Sequence, residues 1–266
     1  MNRDVILEVG NLCIEYPGET TKIQNVNFTL EKGKVLGLAG ESGSGKSTVG
    51  KAAMGLLSGR VSHIAGSMKL CGRELLGLCE RQHEAFKGKD IGYIMQNPMT
   101  AFDPCLKIKT HFIETIRAHL PCSKKDARYI GQKNLHRVGL TDDGRIMNAY
   151  PSQLSGGMLQ RVMIALTVSL NPVLIIADEP TTALDAGSRH TTLELLGHVM
   201  EQYRPAMLLI SHDIEVVSRM ADQVAVMQHG RIVEQGPVVD VLNHPKHNYT
   251  CELMAATRFR REYTLC

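Results

Sequence analysis

The chain has 266 residues, of which 43% are hydrophobic and 21% are charged, proportions that exclude a disordered chain and allow a sizeable buried core. Its formal net charge of +3 is too small for the basic footprint of a nucleic-acid-binding protein. The seven cysteines form no C-x-x-C pair, which argues against a disulfide framework or a zinc site and for reduced thiols.

The N-terminal part of the chain alternates polar and apolar residues. The alternation is visible in VILEVGNLCIEY (5–16) and in IQNVNFTLEKG (23–33). Such a pattern predicts antiparallel strands with one face against a core and one face in water. We therefore expect a small β lobe at the start of the chain.

Three later segments are apolar without alternation and are each followed by a helical pattern or a proline. They are KVLGLAG (34–40), VLIIADEP (173–180) and AMLLISHD (206–213). Continuous apolar character predicts strands that are buried on both faces, as in a parallel sheet between helices. Between Gln96 and Leu154 the sequence is polar and helical, and QVAVMQHGRIVEQG (223–236) predicts strand, His-Gly turn, strand. The fold class is therefore α/β.

The stretch GESGSGKST fits G-x-x-x-x-G-K-[ST] in full and lies between a predicted strand and a predicted helix. The glycines let successive backbone N–H groups point at phosphate oxygens, and the following helix adds its positive end. A lysine at this position neutralises β- and γ-phosphate charge, and the next hydroxyl is a Mg²⁺ ligand. The residues of this predicted phosphate loop are Gly40, Glu41, Ser42, Gly43, Ser44, Gly45, Lys46, Ser47 and Thr48.

Two acidic residues, Asp178 and Glu179, stand at the end of a predicted buried strand. Because neighbouring side chains diverge on a strand, the pair suits two tasks, one on Mg²⁺ and one on an attacking water. Gln96 follows the strand-like DIGYIM (90–95), and His212 follows the predicted strand in AMLLISHD, so that they could reach the metal or the γ-phosphate. Taken alone, each of these two fits an ordinary loop residue equally well.

The order and spacing of the motifs resemble those of the ATP-binding-cassette (ABC) transporter ATPases over essentially the whole chain. The matching residues are Gly40–Thr48, Gln96, Leu154–Met158, Leu174–Glu179, Ala183–Asp185 and His212. The resemblance implies a P-loop (RecA-like) core with an N-terminal antiparallel β lobe and an inserted helical lobe. It implies one domain over 1–266, divided into 1–96 (β lobe and P-loop part of the core), 97–157 (helical lobe ending in the signature), 158–240 (rest of the core) and 241–266 (short C-terminal tail).

The resemblance also assigns residue roles, with ATP and Mg²⁺ as ligands. In this family the LSGG signature contacts the γ-phosphate of a nucleotide on a partner subunit, which here implies Ser155, Gly156 and Gly157. Glu179 would be the general base, His212 the γ-phosphate switch and Asp185 the link between two ATP sites. Ser47, Gln96 and Asp178 would hold Mg²⁺, and Gln96 would also report to the membrane partner. Tyr16 would stack on adenine; the alternative is a core aromatic of the β lobe.

Within the family, NPMTAFDP, SGGMLQRVMIA and HPKHNYTCELM resemble the importers of peptides and nickel. The segments IMQNP and GGMLQR resemble those of the nickel-import subunits more than those of the peptide importers. A dipeptide or oligopeptide importer is the alternative. This branch implies a second, different ATPase subunit, two membrane-spanning permease subunits and an extracytoplasmic binding protein, with no nucleic acid. The apolar run 162–170 is far shorter than the ~18 residues of a membrane span, so we expect any membrane association to be made through another protein. The resemblance implies a peripheral position on the cytoplasmic face of the membrane.

A soluble ABC ATPase acting on DNA or ribosomes is the remote alternative. A chromosome-maintenance ATPase would need long heptad repeats between its phosphate loop and its signature, and none are sustained between Gln96 and Leu154. Translation-type proteins of the family usually carry two ATPase units in one chain, and this chain has one. The small net charge disfavours both.

Overall fold

The computed structural model describes residues 4–16, 23–57, 61 and 63–264, with side chains described up to residue 256. Contacts divide the chain into a first unit, Met1–Ala85 with Ala206–Cys266, and a second unit, Phe86–Pro205. The strands in chain order are β1 (Val5–Glu15), β2 (Ile23–Glu31), β3 (Val35–Ala39), β4 (His63–Leu70), β5 (Arg73–Glu74), β6 (Ile91–Ile94), β7 (Leu174–Asp178), β8 (Ala206–Ser211), β9 (Gln223–Gln228) and β10 (Arg231–Pro237).

The helices begin with the one that follows the predicted phosphate loop. In chain order they are α1 (Lys46–Ala53), α2 (Glu80–Glu84), α3 (Ile108–His119), α4 (Lys124–Arg137), α5 (Asp143–Asn148), α6 (Gly156–Val168), α7 (Ala186–Tyr203), α8 (Ile214–Met220), α9 (Val238–Asn243) and α10 (Asn248–Thr264). Short 3₁₀ turns cover Pro98–Ala101 and Pro151–Gln153. Among the described residues, no helix is both long enough and apolar enough to cross a membrane.

The first unit contains the antiparallel sheet that the alternating N-terminal pattern predicts. Its strand order is β2-β1-β4-β5, and β1 pairs antiparallel with both β2 and β4. Along β2, every residue on one face from Val26 to Leu30 is buried and every residue between them is exposed. The period-2 pattern in the sequence is therefore the direct cause of this one-sided burial.

The rest of the first unit is built on parallel strands. β3 pairs in parallel with both β8 and β9, and β10 returns antiparallel to β9 after the turn at His229 and Gly230. All residues of β3 and β8 are buried, as their continuous apolar sequences predict. Helix α1 packs on β8 and α8 packs on β3. Residues 248–264, within the segment that the sequence analysis treats as a short C-terminal tail, form α10, which packs on α8 and α9.

The second unit combines a parallel strand pair with the helices predicted between Gln96 and Leu154. β6 pairs in parallel with β7, from Ile91 opposite Leu174 to Ile94 opposite Ala177. Helix α4 packs on α3, α5 and α6. Buried side chains from each of these helices form the core of this unit, among them Phe112, Ile116, Leu135, Ile146 and Leu159.

Candidate functional site

The predicted phosphate loop connects β3 to α1 in the first unit. Gly40 has a φ of 146°, and a Cβ there would lie 2.2 Å from the carbonyl oxygen of Met227, so only glycine fits. Beside Gly43 the space is open, because a Cβ at that position would meet no atom within 4 Å. The loop therefore follows the backbone of β9 closely on one side and leaves room for a ligand on the other.

Lys46 is the first residue of α1 and is only 5% exposed. Its Nζ donates to the carbonyl oxygens of Gly40 at 2.7 Å and Glu41 at 2.8 Å. A buried ammonium at the N-terminus of a helix, in a loop of glycines and serines, creates a local positive field. This arrangement fits the polyphosphate of a nucleotide.

His212 lies at the same sheet edge as the phosphate loop within the first unit. Ser211, the last residue of β8, pairs with Ala39, the last residue of β3, so His212 and Gly40 follow at neighbouring positions. The side chain of His212 is exposed. Tyr16 directly follows β1 and is half-buried, outside the fully buried core of the β lobe.

In the second unit, Asp178 and Glu179 are both buried, at 6% and 8% exposure. Asp178 ends β7, and the hydroxyl of Tyr93 donates to its Oδ2 at 2.8 Å. Burial raises the pKa of Tyr93, and the nearby Asp178 carboxylate raises it further. Tyr93 therefore remains a neutral hydrogen-bond donor that fixes one carboxylate oxygen of Asp178.

The backbone of Glu179 corrects one element of the sequence analysis. The strand geometry assumed for the pair does not extend to Glu179, because β7 ends at Asp178 and Glu179 has a φ of 51°. A left-handed backbone costs a non-glycine residue about 1–3 kcal/mol. The side chain is held by Thr182, whose hydroxyl donates to Glu179 Oε2 at 2.7 Å. The two carboxylates are thus separated by a backbone turn.

Gln160 fixes the next peptide along this turn. Its side-chain Nε2 donates to the carbonyl oxygen of Pro180 at 2.9 Å, and the side chain is completely buried. Since Gln160 belongs to α6, the helix is connected directly to the segment that follows Glu179. Gln96 lies two residues after β6, exposed, and reaches the same edge as Asp178 because Ile94 pairs with Ala177.

The signature segment begins α6 in the second unit. Ser155 is the N-cap, and its hydroxyl accepts from the Met158 N–H at 3.2 Å. Ser155 and Gly156 are exposed, whereas Gly157 is buried. A Cβ on Gly157 would lie 2.6 Å from Ser188 Oγ, so the close approach of α6 and α7 requires glycine here.

Asp185 caps α7 and thereby orders the residue that touches Gly157. Its carboxylate accepts from the Ser188 N–H at 3.0 Å and from the Ser188 hydroxyl at 2.7 Å. These two hydrogen bonds lower the pKa of Asp185 below its usual 3.8. The start of α6 and the start of α7 therefore meet through Gly157 and Ser188.

A comparison with protein-family models decides the family. The model described as ABC transporter matches residues 23–182, which is more than half of the chain. The chain belongs to the ABC transporter family. It is an ATP-hydrolysing subunit of the importer type, and the expectation of an ABC-type ATPase is confirmed.

Curated ABC transporter proteins similar to this chain come from several bacteria. The metal-staphylopine import system ATP-binding protein CntD of Staphylococcus aureus is 42% identical over 236 residues, which is 89% of this chain and 87% of that protein. The probable D,D-dipeptide transport ATP-binding protein DdpD of Escherichia coli is 40% identical over 94% of this chain and 77% of that protein. The oligopeptide transport ATP-binding protein OppD of Bacillus subtilis is 40% identical over 94% of this chain and 71% of that protein.

Solved ABC structures share the fold. The cassette MJ0796, in a dimeric post-hydrolysis state bound to ADP and Pi, has a TM-score of 0.76 at 24% identity and covers 88% of this chain and 99% of that chain. CbiO1 from Clostridium perfringens, part of the transporter complex CbiONQ, has a TM-score of 0.77 at 24% identity. The match covers 91% of this chain and 92% of that chain. These similarities confirm the predicted fold class, an α/β P-loop core with an antiparallel sheet.

Four residues that orient the predicted site residues by hydrogen bonds lie outside the ABC sequence motifs. Tyr93, Gln160, Thr182 and Ser188 fix Asp178, Pro180, Glu179 and Asp185, respectively. For two of them a signal was available: Thr182 lies within DEPTTALD, and Ser188 stands three residues after an N-cap aspartate. The phosphate loop, the acidic pair, Gln96, His212, the signature and Asp185 keep their assigned roles as predictions.

Proposed function

We propose that this chain binds ATP between its own phosphate loop and the signature of a second ATPase subunit, and that hydrolysis drives solute import. One observation carries the proposal: the chain has two separate helix N-termini suited to phosphate. The loop before α1 contains the buried ammonium of Lys46, and α6 begins with exposed Ser155 and Gly156. A chain that bound only the nucleotide at its own phosphate loop would not need the second helix N-terminus, that of α6.

On the first unit, the proposed work is phosphate binding. Lys46 would keep the carbonyl partners that hold its ammonium in place and direct a remaining N–H to β- and γ-phosphate oxygens, a charge-assisted contact. The N–H groups of Gly43, Ser44 and Gly45 would add neutral donors. Tyr16 would stack on adenine, and His212 would contact the γ-phosphate from the end of β8.

On the second unit, the proposed work is orientation of water and metal. Glu179 would accept a proton from the attacking water, with its carboxylate held by the Thr182 hydroxyl. Gln96 and Asp178 would be Mg²⁺ ligands, as would Ser47 of the first unit; hydroxyl, amide and carboxylate oxygens suit this hard cation, and the Tyr93 hydrogen bond orients Asp178. When bound, Mg²⁺ neutralises phosphate charge.

The signature and Asp185 would connect the two ATPase subunits. Ser155, Gly156 and Gly157 would contact the γ-phosphate held by the partner, and Gln96 would report nucleotide state to the permease. A nucleotide that binds the closed pair of subunits better than the open pair shifts the equilibrium toward closure. Hydrolysis of that nucleotide removes the stabilisation, and the pair opens again. This differential affinity is what converts hydrolysis into movement.

The proposed cargo is nickel in a complex with a small organic ligand. The metal-staphylopine importer subunit of Staphylococcus aureus, at 42% identity, supports a metal complex as cargo. A peptide importer is the second candidate, supported by the dipeptide and oligopeptide subunits at 40% identity. Two permease subunits, a different second ATPase subunit and an extracytoplasmic binding protein complete the proposed transporter, with this chain peripheral on the cytoplasmic face of the membrane.

Substitution of the proposed base tests the reaction. We expect Glu179→Gln to abolish ATP hydrolysis while the affinity for ATP stays within about twofold of wild type, because the amide keeps the size of the side chain but cannot take a proton. Lys46→Ala is the matched control, since it removes the phosphate contact and should weaken ATP binding by about tenfold or more. Hydrolysis by Glu179→Gln near the wild-type rate would show that another group is the base.

Uptake measurements test the cargo. Cells that lack the gene are complemented with wild type or with Glu179→Gln, and uptake of radiolabelled nickel with a chelating ligand is compared with uptake of a labelled dipeptide. We expect nickel uptake to be restored by wild type alone. Restoration of dipeptide uptake without nickel uptake would replace the nickel proposal by the peptide one and leave the ATPase assignment intact.

A further inference from the structure

The C-terminal segment HPKHNYT reaches the phosphate loop through a single buried phenol. Tyr249, the second residue of α10, is only 5% exposed. The N–H of Glu41 donates to its hydroxyl oxygen at 2.9 Å, across a separation of 208 residues in sequence. The hydrogen bond is partly buried, although Glu41 as a residue is exposed. The tyrosine hydroxyl therefore holds the Glu41 N–H in one orientation.

The selected group belongs to the peptide that anchors Lys46. The N–H of Glu41 and the carbonyl of Gly40 are parts of one planar trans peptide, so they point in opposite directions. The N–H side is held by Tyr249, and the carbonyl side accepts from Lys46 Nζ at 2.7 Å. The next carbonyl, that of Glu41, accepts from the same ammonium at 2.8 Å. Fixing this peptide plane therefore fixes the Gly40 carbonyl, the acceptor closest to the lysine ammonium.

The segment that presents Tyr249 is itself anchored to the sheet. The carboxylate of Glu234, on β10, accepts from the backbone N–H groups of Lys246 at 2.9 Å and His247 at 3.1 Å. The N–H of Tyr249 then donates to His247 Nδ1 at 3.2 Å. Burial alone would raise the pKa of Glu234, but the hydrogen bonds to its carboxylate outweigh burial and the pKa is lowered. A charged Glu234 thus holds the turn before α10 at neutral pH.

We propose that Tyr249 is a positioning residue for the phosphate loop: its hydroxyl locks the Gly40–Glu41 peptide plane so that Lys46 is pre-aligned for the nucleotide. The inference rests on the proposed function and deepens it, since it ties nucleotide affinity to α10. A loop already in its binding conformation loses less entropy when phosphate binds. The effect is on affinity for nucleotide, because Tyr249 contacts the loop backbone and not the reacting groups.

The test is Tyr249→Phe in the full chain, which keeps the buried ring and removes only the oxygen. We expect the dissociation constant of a fluorescent ATP analogue to rise about two- to tenfold, the range that one hydrogen bond supplies. In the assembled transporter we expect KM for ATP to rise by a similar factor and kcat to stay within about twofold of wild type. Glu234→Gln should shift affinity in the same direction, because it weakens the anchor of the segment. The control is Tyr129→Phe, an exposed tyrosine on α4, which should leave the affinity for the analogue unchanged.

The double variant Lys46→Ala with Tyr249→Phe separates positioning from a general effect on the fold. If Tyr249 acts through Lys46, the second substitution adds no further loss of affinity to Lys46→Ala alone. An equal loss in both backgrounds, or unchanged affinity in Tyr249→Phe while wild type binds, overturns the inference. Absence of ATP binding in wild type would instead overturn the proposed function, and this inference with it.

Discussion

Asp185 combines a local structural task with its predicted coupling role. As the N-cap of α7 it satisfies the N–H of Ser188 and also binds the Ser188 hydroxyl. An aspartate at this position stabilises a helix through the free N–H groups and the positive end of the dipole. Any test of Asp185 in coupling between ATP sites must therefore first separate the contribution of the N-cap to stability.

Asp185→Ala should lower the free energy of unfolding, because the N-cap side chain and its two hydrogen bonds to Ser188 are lost. Urea denaturation at neutral pH measures it. Asp185→Asn is the matched control, because an amide oxygen still caps the helix while the charge is removed, and it should stay close to wild type. Equal stability of wild type and Asp185→Ala would show that the cap observed at Ser188 contributes nothing.

Because the pKa of Asp185 is lowered in the folded protein, the difference in stability between wild type and Asp185→Asn should depend on pH. In the unfolded chain this carboxyl titrates near 3.8, whereas the Ser188 hydrogen bonds hold the folded pKa below that value. The stabilisation is therefore complete above pH 3.8 and is lost as pH falls through the folded pKa. Asp185→Asn should lack this part of the acid-side loss of stability, so its denaturation midpoint should fall less steeply below pH 4 than that of wild type.

At the scale of elements, the starts of α6 and α7 form one packed corner. Gly157 belongs to the signature, and Ser188 belongs to the cap of Asp185; a Cβ on Gly157 would lie 3.0 Å from Ser188 Cβ. Gln160, one turn further along α6, holds the carbonyl of Pro180 next to Glu179. The exposed start of α6 is therefore connected to Asp185 through the Gly157–Ser188 contact. It is connected to the turn after the proposed base through the Gln160–Pro180 hydrogen bond.

Several strands of this protein follow from hydrophobic periodicity, but the details of its candidate site do not. The alternating pattern predicts the antiparallel β1 and β2, and the continuous pattern predicts β3, β7 and β8, because burial on one or two faces dictates residue choice directly. The left-handed turn at Glu179 leaves no trace in periodicity, since a single φ angle changes no side-chain pattern. The contact of Tyr249 with Glu41 spans 208 residues and depends on how α10 packs.

At the scale of the whole molecule, the proposed function makes the start of α6 a γ-phosphate site for a partner subunit. Ser155 and Gly156 are exposed at the start of α6, and the N–H groups of a first helical turn have no partner within the helix. A complementary surface on a second ATPase subunit would pair each signature with the other subunit's phosphate loop. Such head-to-tail exchange makes each ATP site dependent on both chains.

Ser155→Arg tests this dependence in a complex where only the partner hydrolyses ATP. The chain carries Lys46→Ala in addition, so that its own phosphate loop is inactive and it supplies only the signature. We expect the arginine side chain to obstruct the partner's γ-phosphate and to lower ATP hydrolysis at least about tenfold, since loss of a transition-state donor alone costs that much or more. ATP hydrolysis by the purified complex is the measurement. Ser155→Thr is the control, because its hydroxyl still caps α6, and it should retain near-wild-type hydrolysis. Undiminished hydrolysis with the arginine in place would mean that the γ-phosphate on the partner is enclosed by the partner alone, and that the exposed end of α6 serves another purpose.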